Sequence, residues 1–278
     1  MPEPLIITAA LVGAELSRQD TPYLPLTPEE IAAEARMCLD AGAAMVHLHA
    51  RAVDGSPTQD LAAYRAIIEA VRARAPEIVI QVSTGGAVWM SAEERLQPLD
   101  AQPEMASLTT GTVNFGEEVF SNTMPMVREF AHQMQLRGIR PEIEVFDSGM
   151  IPAAMRLLKE GLLSEPLHFN LVLGVPGGAA GTLKNLMHMV ESLPSGCTWT
   201  ASGIGAAQLP LTTAAILLGG NVRVGLEDNI YYRRGQLTEG NAPLVARVAR
   251  LAAELGRPLA TPDEARRILH LAARPVTS

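Results

Sequence analysis

Along this chain, short runs in which aliphatic and polar residues alternate are followed by longer stretches whose apolar positions recur every three to four residues. The first period suits a strand and the second an amphipathic helix. Strands are predicted near 4–10 (PLIITAA), 44–50 (AMVHLHA), 77–83 (EIVIQVS), 104–109 (EMASLT), 142–147 (EIEVFD), 167–173 (LHFNLVL), 198–202 (TWTAS) and 221–226 (NVRVGL). Each ends in small, polar or charged residues and gives way to a helical stretch, the mark of βα units. Eight such units predict a closed (β/α)8 barrel rather than an open doubly wound sheet.

Several helix starts are legible. Thr27, Pro28, Glu29 and Glu30 supply an N-cap, a first-turn proline and a capping-box acid, and Gly42 ends the helix that follows. Ser91 with Glu93 and Glu94 opens another, and Thr261, Pro262, Asp263 and Glu264 open an extra C-terminal helix. The amphipathic stretch 242–256 is expected to cover strand eight.

Strand alternation also sorts side chains by face. Val46 and Leu48 turn towards the helices, leaving His47 and His49 inside. By the same rule Ile143 and Val145 face out while Glu142, Glu144 and Phe146 face in, and Ile78, Ile80 and Val82 face out while Gln81 and Ser83 face in. Ser107 shares a face with Thr109, and His168 with Asn170. In the last strand Val222, Val224 and Leu226 form the aliphatic face, opposite Arg223, Gly225 and Glu227. Val, Ile and Leu fill an ordinary barrel. Buried imidazoles, carboxylates and a guanidinium are costly without partners or a metal, so this interior predicts a functional site.

Composition narrows the classes. The 278 residues, without a compositional break, are expected to form one catalytic domain spanning 1–278. A net charge of −8 argues against nucleic acid or an anionic membrane as partner, since both require a basic face. Cys38 and Cys197 are too few for a disulfide framework and lack metal-ligand spacing. The N-terminal stretch has no basic start followed by an apolar run, and no segment approaches the roughly 18 apolar residues of a membrane span, so the cytoplasm is the expected location.

His47-x-His49 on one strand places two imidazoles on the same side, where they can close on one ion. An isolated pair is more often two hydrogen-bonded histidines. Glu227, ending strand eight at the C-terminal rim where barrel enzymes keep their chemistry, changes that balance. Two nitrogens and a carboxylate leave positions open for substrate, as in catalytic zinc sites, although iron or manganese suits the same set.

These motifs resemble the β-keto acid cleavage enzyme family, represented by the 3-keto-5-aminohexanoate cleavage enzymes. The resemblance is carried by VGAELSRQDTPYLPLTPEEIA (12–32), GAAMVHLHAR (42–51), QVSTGG (81–86), MASLTTGTVNFG (105–116), PEIEVFDSGM (141–150) and NVRVGLEDNIY (221–231). It implies a TIM-barrel zinc enzyme, usually a homotetramer. Such enzymes condense a β-keto acid with acetyl-CoA, giving acetoacetate and a new acyl-CoA. It further implies His47, His49 and Glu227 as zinc ligands, Ser83, Gly85, Gly86 and Thr109 as holders of the substrate carboxylate, and Arg223 with Asp228 as the proton-abstracting pair. Glu15 matches an acid that recognises a substrate ammonium; without the resemblance it reads as a solvated loop acid. A cationic tail on the keto acid follows from Glu15. Glu142 and Glu144 are expected to support the histidines or the arginine rather than to bind metal. The glycine-rich segment 174–181 and GIGAAQ (203–208) follow strands six and seven, where barrels often bind phosphate, and suit the phosphates of CoA.

Two rival readings remain. A metal-dependent amidohydrolase is also a barrel with His-x-His, but its pair lies on strand one and further histidines on strands five and six. Here strand two carries the pair and strand five carries glutamates. A barrel that only binds a metabolite is opposed by the polar interior and Asp228.

Overall fold

The computed structural model describes residues 3–271. Eight parallel strands close into a barrel: β1 (Ile7–Ala10), β2 (Met45–Leu48), β3 (Val79–Val82), β4 (Met105–Thr109), β5 (Arg140–Val145), β6 (His168–Leu173), β7 (Thr198–Gly203) and β8 (Asn221–Val224). Each strand pairs with the next, and β8 closes on β1 through Ile7↔Val222, Thr8↔Arg223 and Ala9↔Val224. The expected (β/α)8 architecture is therefore the observed one. Boundaries shift for local reasons. Strand β2 stops at Leu48 because Ala50–Arg51 leaves the barrel to pair antiparallel with Pro57–Thr58. Strand β8 stops at Val224 because Gly225 turns the chain with φ 151°. A Cβ at that position would lie 2.1 Å from the Ala10 carbonyl oxygen, so only glycine lets β8 approach β1 so closely.

Around the barrel run α1 (Pro28–Asp40), α2 (Leu61–Arg74), α3 (Ala92–Leu96), α4 (Met124–Arg137), α5 (Ile151–Lys159), α6 (Leu183–Glu191), α7 (Gln208–Leu217), α8 (Ala242–Glu254) and α9 (Pro262–Ile268). Reciprocal capping boxes form at Thr27/Glu30, Ser91/Glu94 and Thr261/Glu264, satisfying amides that the first helical turn leaves unpaired. The apolar face of α8 packs against β1, α1 and α7. It seals the seam where the last strand meets the first instead of lying chiefly over β8, as the amphipathic pattern suggested.

The outward aliphatic residues, among them Val46, Leu48, Ile80, Val82, Ile143, Val145, Val222 and Val224, form the main core under the helices. A smaller core of Ile6, Met45, Val79 and Met105 fills the N-terminal end of the barrel and meets Ala260, Ala265 and Leu269 around α9. Arg266 fastens α9 there by pairing with Glu104 at 2.6 Å. Among the described residues, that packing plugs the N-terminal end of the barrel. None of the described helices is long and apolar enough to cross a membrane.

Candidate metal and substrate site

A cavity of about 260 Å³ opens at the C-terminal end, and its wall includes His47, His49, Ser83, Gly85, Gly86, Glu144, Arg223, Glu227 and Asp228. Strand period puts His47 on the inner face of β2, and one further step beyond the strand puts His49 above it. Glu227 arrives from the other side of β1. Its path is cleared by Gly13, where a Cβ would stand 2.7 Å from Glu227 Cγ. Asn241 secures this approach: its Oδ1 accepts from Leu226 N at 2.7 Å, while its Nδ2 donates to Leu11 O and to Glu34 Oε2.

His47 Nε2 and His49 Nε2 lie 3.6 and 3.5 Å from Glu227 Oε1. The three potential ligand atoms are all within 4.8 Å of one another. Two donors each about 2.0–2.1 Å from one ion at a tetrahedral angle stand roughly 3.4 Å apart, so the spacing fits a shared divalent metal. Two more observations favour that fit. Gln81 Oε1 lies 2.6 Å from His47 Nδ1, which makes Nδ1 the protonated nitrogen and turns the Nε2 lone pair to the cavity. Glu227 Oε2 is buried with no hydrogen-bond partner. Burial pushes His47 down to about 4, outweighing the opposing pull of Glu227, so the ring is neutral and able to ligate. Burial also opposes the charge on Glu227, but Arg223 and the two imidazoles outweigh it and hold the carboxyl well below the usual range.

Arg223 is clamped among acids. Its Nε donates to Asp228 Oδ2 at 3.0 Å and its Nη2 to Asp228 Oδ1 at 2.8 Å and Glu227 Oε1 at 2.6 Å. Glu144 stands 3.7 Å from Nη1. A guanidinium so close would ordinarily make Asp228 a weak base. Burial dominates instead, and the Asp228 pKa is raised despite Arg223. Burial likewise pushes Glu144 up to about 7, against the pull of Arg223.

The turn after β3 forms another wall. Ser83 Oγ accepts from Gly85 N at 3.0 Å, leaving its own proton to donate to a ligand oxygen. The turn is pinned from behind: Gln59 Nε2 donates to Ser83 O at 3.1 Å, and Arg95 Nε donates to Thr84 O at 2.7 Å. Arg95 also reaches Ser121 O and Asn122 Oδ1 and lies 4.7 Å from the Phe120 ring centroid, tying this wall to the ribbon 113–120. Thr109 is placed differently. Its Oγ1 donates to Glu144 Oε2 at 3.0 Å, and it is not among the residues lining the cavity.

Glu15 is exposed at the cavity wall, on the loop after β1. Arg51 holds that loop by donating to Gly13 O at 3.0 Å and Leu16 O at 2.8 Å. Glu142 lies deeper, paired with His168 at 3.3 Å and accepting from Asn170 at 3.2 Å, so it supports neither His47 nor His49 by direct contact. Within the segment 174–181, Gly174 N, Gly178 N and Ala179 N donate to Ala179 O, Val175 O and Phe146 O.

A sequence model of the beta-keto acid cleavage enzyme matches residues 4–271. The chain belongs to that family. It is 52% identical over 272 residues to the 3-keto-5-aminohexanoate cleavage enzyme of Fusobacterium nucleatum, an alignment covering 98% of this chain and 99% of that protein. It is 38% identical over 274 residues to the 3-oxoadipate:acetyl-CoA acetyltransferase of Cupriavidus necator, covering 98% of this chain and 96% of the relative. The apo structure of ObcA superposes with a TM-score of 0.76 at 24% identity, covering 91% of this chain. The chain spans 66% of that longer structure, and the likeness at this identity is one of fold.

As a beta-keto acid cleavage enzyme the protein is an enzyme of a family whose curated members include acetyl-CoA-dependent transferases. The amidohydrolase alternative finds no support in these matches. Pattern reading placed Gln81 inside but missed its bond to His47. A signal was available, since His47 and Gln81 are facing residues of neighbouring strands. It missed Arg51, Arg95 and Asn241 altogether, because their partners are backbone carbonyls and side chains far along the chain.

Proposed function

We propose that this protein is a zinc-dependent acyltransferase that condenses a β-keto acid bearing a cationic tail with acetyl-CoA, giving acetoacetate and a new acyl-CoA. The observation that carries this reading is the meeting, in one cavity, of the His47–His49–Glu227 set and the Arg223–Asp228 clamp. A divalent ion held by His47, His49 and Glu227 would supply Lewis acidity towards the oxygens of the keto acid. Ser83 Oγ and the amides near Gly85 and Gly86 hold the substrate carboxylate. Asp228 takes a proton from the carbon between the two carbonyls, and its raised pKa suits that task. Arg223 fixes the carboxylate's orientation.

The carbanion attacks the acetyl carbonyl of the thioester, a C–C bond forms and the CoA thiolate leaves. The thiolate then attacks the original ketone, the adjoining C–C bond breaks, and the new acyl-CoA separates. The released carbanion is acetoacetate once Asp228 returns the proton, so no redox partner is required. Thr109 acts here through Glu144, which it orients beside Arg223, more than through the substrate.

Glu15 at the cavity wall favours an ammonium or quaternary ammonium tail, as the name of the Fusobacterium relative suggests. The test is incubation of zinc-loaded protein with acetyl-CoA and cationic, neutral or dianionic β-keto acids. Acetoacetate should form fastest with the cationic member; equal or faster turnover of the dianion would overturn the assignment of Glu15. A homotetramer located in the cytoplasm, built from one domain per chain, completes the proposal, and light scattering would measure its mass.

A further inference from the structure

The reading above requires a long, multiply anionic thioester to reach Asp228, yet the chain carries a net charge of −8. Several surface arginines are neutralised locally, as in Arg18–Glu30, Arg128–Glu160 and Arg137–Asp100. Four others gather at one place. Just beyond Asp228 the chain forms a ribbon, Tyr231–Arg233 against Gln236–Leu237, which carries Arg233 and Arg234. Helix α8 sets Arg247 and Arg250 beside it. The Cζ atoms of Arg247 and Arg233 lie 4.8 and 5.6 Å from the Tyr232 ring centroid. Arg250 Nη2 donates to the Tyr232 hydroxyl at 3.0 Å, and Arg247 donates to the Tyr232 carbonyl.

Among the described residues, none of these four arginines forms a salt bridge with a carboxylate. Arg247 Nε is buried with no hydrogen-bond partner. Burial lowers the Arg247 pKa, and Arg250 and Arg233 lower it further by repulsion. Cations gathered around one ring without an acid are an arrangement that a polyanion would relieve.

We propose that Arg233, Arg234, Arg247 and Arg250 dock the phosphate-bearing end of the CoA thioester beside Tyr232. This rests on the reading that acetyl-CoA is the second substrate. Reach supports it: Arg233 lies five positions after Asp228, and an extended chain of five residues spans at most about 18 Å. A pantetheine arm can bridge such a gap while its thioester enters the cavity. The ribbon is also held in place, because Asn229 Nδ2 donates to Tyr231 O at 2.7 Å and Asn229 Oδ1 accepts from Tyr231 N at 3.0 Å. Guanidinium forks match phosphate oxygens in pairs, and the tyrosine and arginine planes offer stacking surfaces for adenine. The glycine-rich segment 174–181, whose amides at 174, 178 and 179 are already committed, is a poorer cradle.

The test compares the zinc-loaded wild type with Arg247→Gln/Arg250→Gln and Arg233→Gln/Arg234→Gln. Two acyl donors are used, acetyl-CoA and the acetyl thioester of N-acetylcysteamine, which lacks the nucleotide. Loss of charge-assisted phosphate contacts should raise KM for acetyl-CoA by about tenfold or more. In both variants kcat should hold and KM for the short thioester should be unchanged. The salt dependence of KM for acetyl-CoA should also flatten. An acetyl-CoA KM within about twofold of wild type in both variants would overturn the assignment. So would a parallel rise for both donors, or a fall in oligomeric mass with acetyl-CoA affinity intact, which would assign the arginines to contact with a second copy. Should the wild type turn over no keto acid, calorimetric titration with CoA itself still decides: binding weakened about tenfold in the variants supports the site, and unaltered or absent binding ends it.

Discussion

Inside this barrel two histidine–carboxylate groupings lie at different depths, and they differ in access rather than in residue type. The deeper one pairs His168 with Glu142 at 3.3 Å; His168 Nδ1 meets Thr198 Oγ1 at 2.8 Å, Asn170 donates to Glu142, and Ser202 donates to Asn170 at 2.7 Å. Neither His168 nor Glu142 lines the cavity. The shallower one gathers His47, His49 and Glu227 on the cavity wall. In the first case the ring nitrogens are occupied by neighbours, so the pair can only brace the barrel. In the second, His47 Nε2 and His49 Nε2 meet Glu227 Oε1 at the wall of an open cavity, which is what a ligand needs. An inventory of buried His and Glu would have ranked the two groupings alike.

Three variants would break or sharpen that contrast. Glu227→Gln removes the carboxylate on which both imidazoles converge, so zinc content by elemental analysis should fall away. Turnover should drop by more than about 100-fold, beyond what loss of a supporting group costs. Near-native zinc and turnover in a folded variant would erase the distinction. Gln81→Leu leaves the three ligand candidates intact but frees the His47 ring to adopt the other tautomer; metal affinity should weaken by about 10–100-fold in a competition titration. His168→Leu should alter metal affinity least. It strands Glu142 in the interior, so urea unfolding should show a loss of about 3–5 kcal/mol, largely recovered by Glu142→Leu in the same chain. Loss of zinc in that double variant would show that the deeper grouping also serves the metal.

The fold and the facing of its side chains were readable because a period of two decides which way each strand residue points. His47, Ser83, Glu144 and Arg223 line the cavity and Gln81 turns inward to His47, as that period requires. What alternation cannot give is the neighbour on the inner face. Thr109 was expected to hold substrate, and alternation did not show that its hydroxyl donates to Glu144, its partner in the β4–β5 register. Glu142 was expected to support the histidines or the arginine, and alternation did not show that it also pairs with His168. The loops were harder still. Arg51, Arg95 and Asn241 organise the rim through backbone carbonyls and distant side chains, and the Asn241–Leu11 bond spans 230 residues. A local pattern carries no trace of such contacts. Nor does glycine richness tell which amides are committed, as those of Gly174, Gly178 and Ala179 are.

The seam between β8 and β1 sets a timetable for the chemistry. A nascent chain extended only to residue 220 already holds His47 and His49, but lacks Arg223, Glu227 and Asp228. Ring closure by β8 is thus also the step that brings the carboxylates to the imidazoles, and a chain truncated before β8 would carry two histidines without Glu227 to meet.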